Sequence, residues 1–306
     1  MTLVRRLSNR YPGIAVPELR TEKWTRDLVY FHVAAAFGAV PLRETRQSTS
    51  GHCQRALRAA SLQRSRLGAV AVEMAVKACL NGARTRTEHP AVPRTPGELA
   101  ADAIAVRRAG AFAVHVHPRD SSGAQTLKAV ACDAAVEAIR VAVPGLPVGL
   151  STAEAIDPDP FARAAAVKTW RQPPDFISVN LSELGWPGIV RAALHAGIAV
   201  EAGLATPADA EELVRSPFTH QVVRALVEVD GGVEDARAIA RLIPDGVPQL
   251  WHGYGERTWE VISAAGTAAI DVRVGFEDVL ALPDGRTPAS NAELVAAAVE
   301  LIGRQA

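Results

Sequence analysis

The hydrophobic pattern of the chain changes character near residue 74. From there to the C-terminus, short runs of β-branched and other apolar residues alternate with longer Ala-rich stretches, a pattern typical of strand-helix units around a parallel sheet. Eight such units within about 230 residues predict a (β/α)8 TIM barrel over residues 74–306. A doubly wound open sheet is the alternative, disfavoured because no G-x-G-x-x-G motif follows the first strand. The predicted strands cover residues 76–80, 112–117, 147–151, 176–180, 198–202, 222–229, 248–252 and 271–275.

Start signals for helices lie between these strands. Thr95 and Glu98 enclose a proline and have the spacing of a capping box, and Thr206 and Asp209 repeat the arrangement. Ser290 precedes the last Ala-rich stretch in the same way. These signals predict helices that begin just after the three hydroxyl residues.

Residues 1–73 differ in composition from the rest of the chain. They carry 12 basic and 5 acidic residues, whereas the remainder carries 21 and 28, and they show no clear hydrophobic period. We interpret this segment as a poorly structured N-terminal extension or a start-site artefact, with the working domain beginning at Met74. A signal peptide is disfavoured because its apolar region would follow the basic start sooner.

Charge and cysteine content narrow the class of partner. The whole chain has 33 basic and 33 acidic residues, so no excess charge indicates a nucleic acid or membrane partner, and a small molecule is favoured. The 3 cysteines have no C-x-x-C spacing, which favours a reducing cytoplasm over a disulfide framework. No apolar run approaches the roughly 20 residues that span a bilayer.

The second predicted strand ends in the best candidate for chemistry, His115-Val116-His117. Alternate residues of a strand point to the same face, about 6 to 7 Å apart, so both imidazoles can reach one metal ion. Imidazole suits zinc, and a site with few protein ligands keeps a position open for substrate. The alternative is two histidines that are merely hydrogen-bonded at a strand end.

Polar side chains recur at the carboxyl ends of nearly all predicted strands, where TIM barrels gather their catalytic groups. This recurrence predicts one shared site, although Glu228 and Asp230 could form a solvated rim and His252 could be a hydrogen-bonded strand-end residue. Glu277 could complete a two-histidine, one-carboxylate site beside an Arg273–Asp278 ion pair, or all three could form an ordinary salt bridge. The full set is Asn81, Arg84, His115, His117, Ser151, Thr152, Asn180, Ser182, Glu201, Glu228, Asp230, His252, Arg273, Glu277 and Asp278.

Several motifs in order make the chain resemble the β-keto acid cleavage enzymes. The resemblance covers residues 76–304 and implies a zinc-dependent (β/α)8 barrel, usually a homo-oligomer and often a tetramer. It also implies conversion of a β-keto acid and acetyl-CoA into acetoacetate and a new acyl-CoA. The motifs are residues 81–83 (Asn-Gly-Ala), 88–93 (Glu-His-Pro-Ala-Val-Pro), 115–120 (His-Val-His-Pro-Arg-Asp), 151–152 (Ser-Thr), 273–278 (Arg-Val-Gly-Phe-Glu-Asp), 282–286 (Leu-Pro-Asp-Gly-Arg) and 290–294 (Ser-Asn-Ala-Glu-Leu).

The resemblance also implies roles for individual residues. Arg273 and Asp278 would form the dyad that removes a substrate proton, and Ser151 would bind the substrate carboxylate or polarise its carbonyl. Asn180, Ser182 and Glu201 are further candidates for substrate binding. The zinc ligands would be His115, His117 and Glu277.

Two departures from the family pattern affect specificity. Arg84 stands where members that act on amino-substituted substrates have a glutamate, and a guanidinium there would repel an ammonium group. We therefore expect a substrate with an anionic or polar far end, unless Arg84 simply reaches solvent. The regions around residues 228–232 and 251–255 match the usual loops less clearly, which affects CoA handling most.

Two other functions are compatible with the sequence. The first is a metal-dependent TIM-barrel aldolase or hydrolase that uses no CoA. The second is a noncatalytic metal-binding barrel. An aldolase or hydrolase would differ from a β-keto acid cleavage enzyme in not depending on acetyl-CoA. A noncatalytic barrel would differ from both in having no turnover.

Overall fold

The computed structural model describes residues 74–304, where eight parallel strands close into a barrel in the order β1 to β8. The predicted TIM barrel is confirmed and the doubly wound alternative was wrong, because β8 pairs with β1. The predicted 1–73 extension lies outside the described residues. The strands are β1 (Val76–Cys79), β2 (Ala111–Val116), β3 (Val148–Ser151), β4 (Phe176–Asn180), β5 (Ala199–Leu204), β6 (Arg224–Val229), β7 (Gln249–Gly253) and β8 (Asp271–Val274).

Eight α-helices alternate with the strands within the described residues. Among these residues, no helix is long and apolar enough to cross a membrane. The helices are α1 (Pro96–Arg108), α2 (Ala129–Ala142), α3 (Pro160–Val167), α4 (Trp186–His195), α5 (Pro207–Arg215), α6 (Val233–Ala240), α7 (Thr258–Thr267) and α8 (Asn291–Gly303).

The predicted helix starts have the expected geometry. Thr95 and Glu98 form a reciprocal capping box at α1, as do Thr206 and Asp209 at α5. The Ser290 side chain accepts a hydrogen bond from the backbone of Glu293 at α8. Each cap satisfies backbone N–H groups that the first helical turn leaves without partners.

Strand boundaries agree with the prediction to within one residue except at β5, which ends at Leu204 rather than at residue 202, and at β6. It begins at Arg224 rather than at residue 222, because the backbone N–H of Val222 closes a turn onto the carbonyl of Phe218. The apolar pattern continues through this turn, so hydrophobicity alone cannot show where the strand starts.

The register makes the barrel interior polar. Ser178, Glu201 and Arg224 are paired neighbours on β4, β5 and β6, and paired residues point to the same face of a sheet. Lys77 of β1 contacts Glu201 across the barrel, so this face is the interior. The apolar core lies mainly between the outward faces of the strands and the helices, which leaves the interior free for charged groups.

Asn291, at the start of α8, links the segments that follow the first strand and the last strand of the barrel. Its side chain donates to the carbonyl of Leu80 (2.8 Å) and to Asp102 (2.6 Å), and accepts from the backbone of Phe276 (2.7 Å). Burial raises the pKa of Asp102 to about 6, although the hydrogen bond from Asn291 opposes this.

We expect Asp102→Asn to change how stability depends on pH. The folded pKa of Asp102 lies above the unfolded value of about 3.9, so its ionisation destabilises the fold progressively between about pH 4 and pH 6. Asparagine keeps an acceptor for Asn291 and does not ionise. In denaturant unfolding, the free energy of unfolding of the variant should rise relative to that of the wild type across this window, by on the order of 2 kcal/mol at pH 7. A constant difference between pH 4 and pH 7 would contradict the buried-carboxyl argument.

Candidate active site

The side chains of His115, His117 and Glu277 meet at the carboxyl ends of β2 and β8. One ligand atom from each lies within 4.8 Å of the others. The two imidazole Nε2 atoms are 3.2 Å apart, and the Glu277 carboxylate lies 3.5 Å from His117 and 3.8 Å from His115. Both histidines are buried.

Neighbouring residues fix the tautomer of both imidazoles. The Nδ1 of His117 contacts Oε1 of Gln125, and that of His115 lies 3.5 Å from the Ser178 hydroxyl, which itself donates to Glu201 (3.0 Å). Each Nδ1 therefore carries the proton and each Nε2 presents a lone pair. Burial also holds the pKa of His115 well below its usual value.

This donor set fits a metal ion. Two lone pairs 3.2 Å apart repel each other unless a cation lies near them. The Oε2 atom of Glu277 is buried and has no hydrogen-bond partner among residues 74–304. A cation bound beside it would compensate its negative charge. Two imidazoles and one carboxylate form a ligand set that zinc commonly takes in catalytic sites.

Gly82 makes room for the Glu277 side chain. Its backbone is left-handed (φ +51°), and an added Cβ would lie 2.4 Å from Cγ of Glu277. Burial alone would raise the pKa of Glu277, but the Arg273 guanidinium holds it well below its usual value. Glu277 is therefore an anion in its folded environment.

Arg273 connects the three-residue cluster to Asp278. Its guanidinium contacts Asp278 through Nη2 (2.6 Å) and Nε (3.0 Å), and Nη2 also reaches Glu277 (2.6 Å). Arg273 and Asp278 are fully buried or nearly so. The predicted ion pair is therefore present, and it lies directly beside the cluster.

His252 lies on the other side of Asp278. Its Nδ1 is 3.6 Å from the Asp278 carboxylate and its Nε2 is 3.3 Å from Glu228, which also accepts from the Tyr254 hydroxyl (3.1 Å). Burial lowers the pKa of His252 to about 3, so the ring is neutral. Glu228 and His252 are buried and belong to the interior of the mouth rather than to a solvated rim.

Glu201 was predicted to bind substrate at the end of β5, but it lies below the end of that strand, which continues to Leu204. It is fully buried, accepts from Lys77 at 2.5 Å, and lies 3.2 Å from Nε of Arg224 without hydrogen-bond alignment. Burial would raise the pKa of Glu201, but Lys77 and Arg224 reverse the effect and lower it. Its contact with Ser178 suits support of His115 better than contact with substrate.

The other predicted substrate-binding residues lie at different depths. Ser151 is buried at the end of β3, with its hydroxyl accepting from the backbone of Ala153 (3.3 Å). Asn180 is partly buried and Ser182 is exposed. Arg84 forms an ion pair with Glu88 (2.8 Å) in which both side chains are partly exposed, so the charge of Arg84 is offset by a neighbour.

Several supporting residues were missed by the sequence analysis. Ser178 and Lys77 lie on the inward face of their strands, and strict two-residue alternation from Asn180 and Cys79 would have indicated both. Gln125 follows a loop that returns to pair with Arg119, and no local pattern indicates its contact with His117. Asn81, by contrast, was among the predicted strand-end residues, and its side chain accepts from the backbone N–H of His117 (2.9 Å) and donates to the His117 carbonyl (3.0 Å).

Comparison with known proteins agrees with the resemblance found in the sequence. A family model described as beta-keto acid cleavage enzyme matches residues 73–229 and 210–305. A 3-keto-5-aminohexanoate cleavage enzyme from Fusobacterium nucleatum is 27% identical over 256 residues, which are 76% of this chain and 93% of that enzyme.

Solved structures share the barrel at lower sequence identity. The apo structure of ObcA has a TM-score of 0.56 at 17% identity over 71% of this chain, and its complex with oxaloacetate gives 0.55 at 18% over 71%. These matches span 63% and 65% of the respective ObcA chains, less than two thirds. The tryptophan synthase alpha chain of Legionella pneumophila gives 0.52 at 13% identity, covering 85% of this chain and 98% of its own. The solved structures thus support the fold, and the family match across nearly all described residues shows that this chain belongs to the β-keto acid cleavage enzymes.

Proposed function

We propose that this protein is a zinc-dependent enzyme that converts a β-keto acid and acetyl-CoA into acetoacetate and a new acyl-CoA. The observation that carries the proposal is the cluster of His115, His117 and Glu277 within 4.8 Å, beside the buried Arg273–Asp278 pair, in a member of this family. The expected homo-oligomer is a further prediction from the family.

His115, His117 and Glu277 would hold the zinc ion. When bound, zinc would act as a Lewis acid that stabilises the negative charge developing on the substrate's enolate oxygen. Gln125 and Ser178 would keep the imidazoles in the required tautomer and orientation.

Asp278 would accept the α-proton of the β-keto acid. Arg273 fixes the Asp278 carboxylate through two guanidinium nitrogens, and its positive charge would favour the anionic substrate near the base. An ordinary aspartate, with a pKa of about 3.9, is too weak to deprotonate an unactivated carbon, so the carbon acid must be made more acidic in the site. Ser151 would bind the substrate carboxylate or its carbonyl oxygen.

The carbon–carbon exchange then follows a retro-Claisen route. The substrate carbanion forms a bond to the acetyl carbonyl carbon and the thiolate of CoA leaves. That thiolate adds to the original keto carbon, and the bond between this carbon and the α-carbon breaks. Acetoacetate leaves after its carbanion regains the proton from Asp278, and the remaining acyl group leaves as its CoA thioester.

Arg84 affects the expected substrate tail. Its ion pair with Glu88 reduces the positive charge that would attract an anionic tail. Of the two options that the sequence offers, anionic or polar, we propose the polar one.

A product assay tests the proposal on the purified full-length protein. With acetyl-CoA and a panel of β-keto acids, we expect acetoacetate and a new acyl-CoA to form in equal amounts, followed by mass spectrometry. Metal analysis of the same sample should give one zinc per chain. Cleavage that consumes no acetyl-CoA would indicate an aldolase or hydrolase, and bound zinc without any product would indicate a noncatalytic barrel; either result would reject the proposal.

A further inference from the structure

The fully buried Arg163 of α3 lies behind the loops that follow β3 and β4. Its Nη1 contacts the Glu183 carboxylate and donates to the Thr152 carbonyl (3.1 Å), while its Nη2 donates to the Leu184 carbonyl (2.9 Å). A planar guanidinium that meets three acceptors on two loops is held in one orientation. Arg163 therefore fixes the backbone positions that it contacts.

Glu183 extends this arrangement to both loops. Its Oε2, which contacts Arg163, also accepts from the backbone N–H of Glu154 (3.0 Å). Its Oε1 accepts from the side-chain amide of Asn180 (2.9 Å). The Arg163–Glu183 pair thus ties the segment after β3 to the end of β4.

The peptide group between Thr152 and Ala153 connects Arg163 to Ser151. Its carbonyl accepts from Arg163 (3.1 Å), and its N–H donates to the Ser151 hydroxyl oxygen (3.3 Å). The carbonyl and the N–H of one trans peptide lie in a plane and point in opposite directions. The guanidinium that fixes the carbonyl therefore also fixes the direction of the N–H.

The Thr152 side chain secures the same turn from a second direction. Its hydroxyl donates to the Ser178 carbonyl of β4 (2.8 Å), and Thr152 is buried. Rotation of the peptide would break this bond or the bond to Arg163. The turn that carries Ser151 is thus held on both sides.

The Ser151 hydroxyl remains available as a hydrogen-bond donor. Its oxygen accepts from Ala153, and among residues 74–304 it donates no hydrogen bond. Ser151 is buried at the end of β3, so its hydrogen needs an acceptor from a ligand or from water. A cation on the peptide carbonyl strengthens the N–H of the same peptide as a donor, and this in turn strengthens donation by the hydroxyl.

We propose that Arg163 is a positioning residue that acts through the Thr152–Ala153 peptide and makes the Ser151 hydroxyl a donor to an oxygen of the β-keto acid. Arg163 itself is fully buried and would not contact the substrate. This inference rests on the proposed function, because the binding of a substrate oxygen by Ser151 is part of it.

A double-mutant cycle tests whether Arg163 acts through Ser151. Calorimetry on the zinc-loaded full chain without acetyl-CoA would measure the affinity for acetoacetate, which is itself a β-keto acid. We expect Ser151→Ala to weaken binding about tenfold and Arg163→Met about five- to tenfold. In the Ser151→Ala background, Arg163→Met should cost less than about twofold, because the hydroxyl through which it acts is absent.

Two further variants complete the design. Arg163→Lys keeps the positive charge, but an ammonium cannot span the three acceptors of the guanidinium, so it should weaken binding less than Arg163→Met and again only when Ser151 is present. This milder variant decides the question if Arg163→Met fails to fold. Arg215→Met changes an exposed arginine of α5 and should leave the affinity unchanged. Every variant should retain its zinc, because Arg163 contacts none of the three proposed ligands.

Some outcomes overturn the role of Arg163 and others overturn the reaction. Losses from Arg163 and Ser151 that multiply, unchanged affinity in Arg163→Met, or loss of zinc from Arg163→Lys would each reject a role exerted through Ser151. Failure of the wild type to bind acetoacetate would reject it as well. Losses that depend on Ser151, combined with no acyl-CoA product when acetyl-CoA is added, would retain the role of Arg163 and reject the proposed reaction.

Discussion

Replacing His117 by alanine is expected to abolish metal retention and to reduce β-keto acid turnover to the background rate. The variant keeps His115 and Glu277 but loses one of three ligand atoms that lie within 4.8 Å. Changes in groups that only orient a metal ligand already cost about 10- to 100-fold in metal affinity or activity, so loss of a ligand should exceed that range. Metal analysis after gel filtration and the acyl-CoA assay would measure the two effects.

Two further variants grade this result. Gln125→Leu removes the acceptor at Nδ1 of His117 and should weaken metal binding by about 10- to 100-fold without abolishing it. His195→Ala alters an exposed histidine near the end of α4 and should change neither property. A His117→Ala protein that retained stoichiometric metal and normal turnover would refute the assignment of His117 as a ligand.

Replacing Glu201 by glutamine is expected to be the most destabilising single change in the barrel interior. Lys77 and Glu201 are both fully buried and 2.5 Å apart, and glutamine would leave the Lys77 ammonium without its carboxylate. Removing one partner of a buried ion pair costs about 3–5 kcal/mol because the other charge remains desolvated. Equilibrium unfolding in denaturant would measure the loss, and weaker metal binding should accompany it because Ser178 loses its acceptor.

A surface pair provides the matched control. Glu211 and Arg215 form an ion pair on α5 at 3.2 Å with both side chains more than half exposed, and exposed pairs of this kind contribute little to stability. Glu211→Gln should therefore unfold at the same denaturant concentration as the wild type. Equal stability of Glu201→Gln and Glu211→Gln would show that the Lys77 charge is accommodated without Glu201.

The alternating pattern of strands and helices predicted the barrel well, for a physical reason. Buried parallel strands need continuous apolar runs, and capped amphipathic helices must cover them, so both leave periodic traces in the sequence. The Thr95 and Thr206 capping boxes are local in the chain, and the sequence located them to the residue.

The sequence predicted those residues of the candidate site that lie at or just after the carboxyl ends of strands. His115, His117 and Arg273 stand in short motifs, and the fold explains why those motifs meet. Contacts that depend on register were harder to predict. Glu201 was expected at the mouth but lies beside Lys77 from the opposite strand, because a two-residue step along β5 changes depth in the barrel. Arg84 was predicted either to attract the substrate tail or to reach solvent, and the structure pairs it with Glu88.

The closure of β8 onto β1 also bears on the order in which the residues of the candidate metal site become available during synthesis. His115 and His117 leave the ribosome more than 150 residues before Glu277, and Asn291 follows later still to link the Leu80 carbonyl with the Phe276 backbone. During most of its synthesis the chain thus has two imidazoles but no carboxylate to complete the cluster. On the proposed ligand set, complete metal binding therefore requires that Glu277 has been synthesised and that β8 has closed the barrel onto β1.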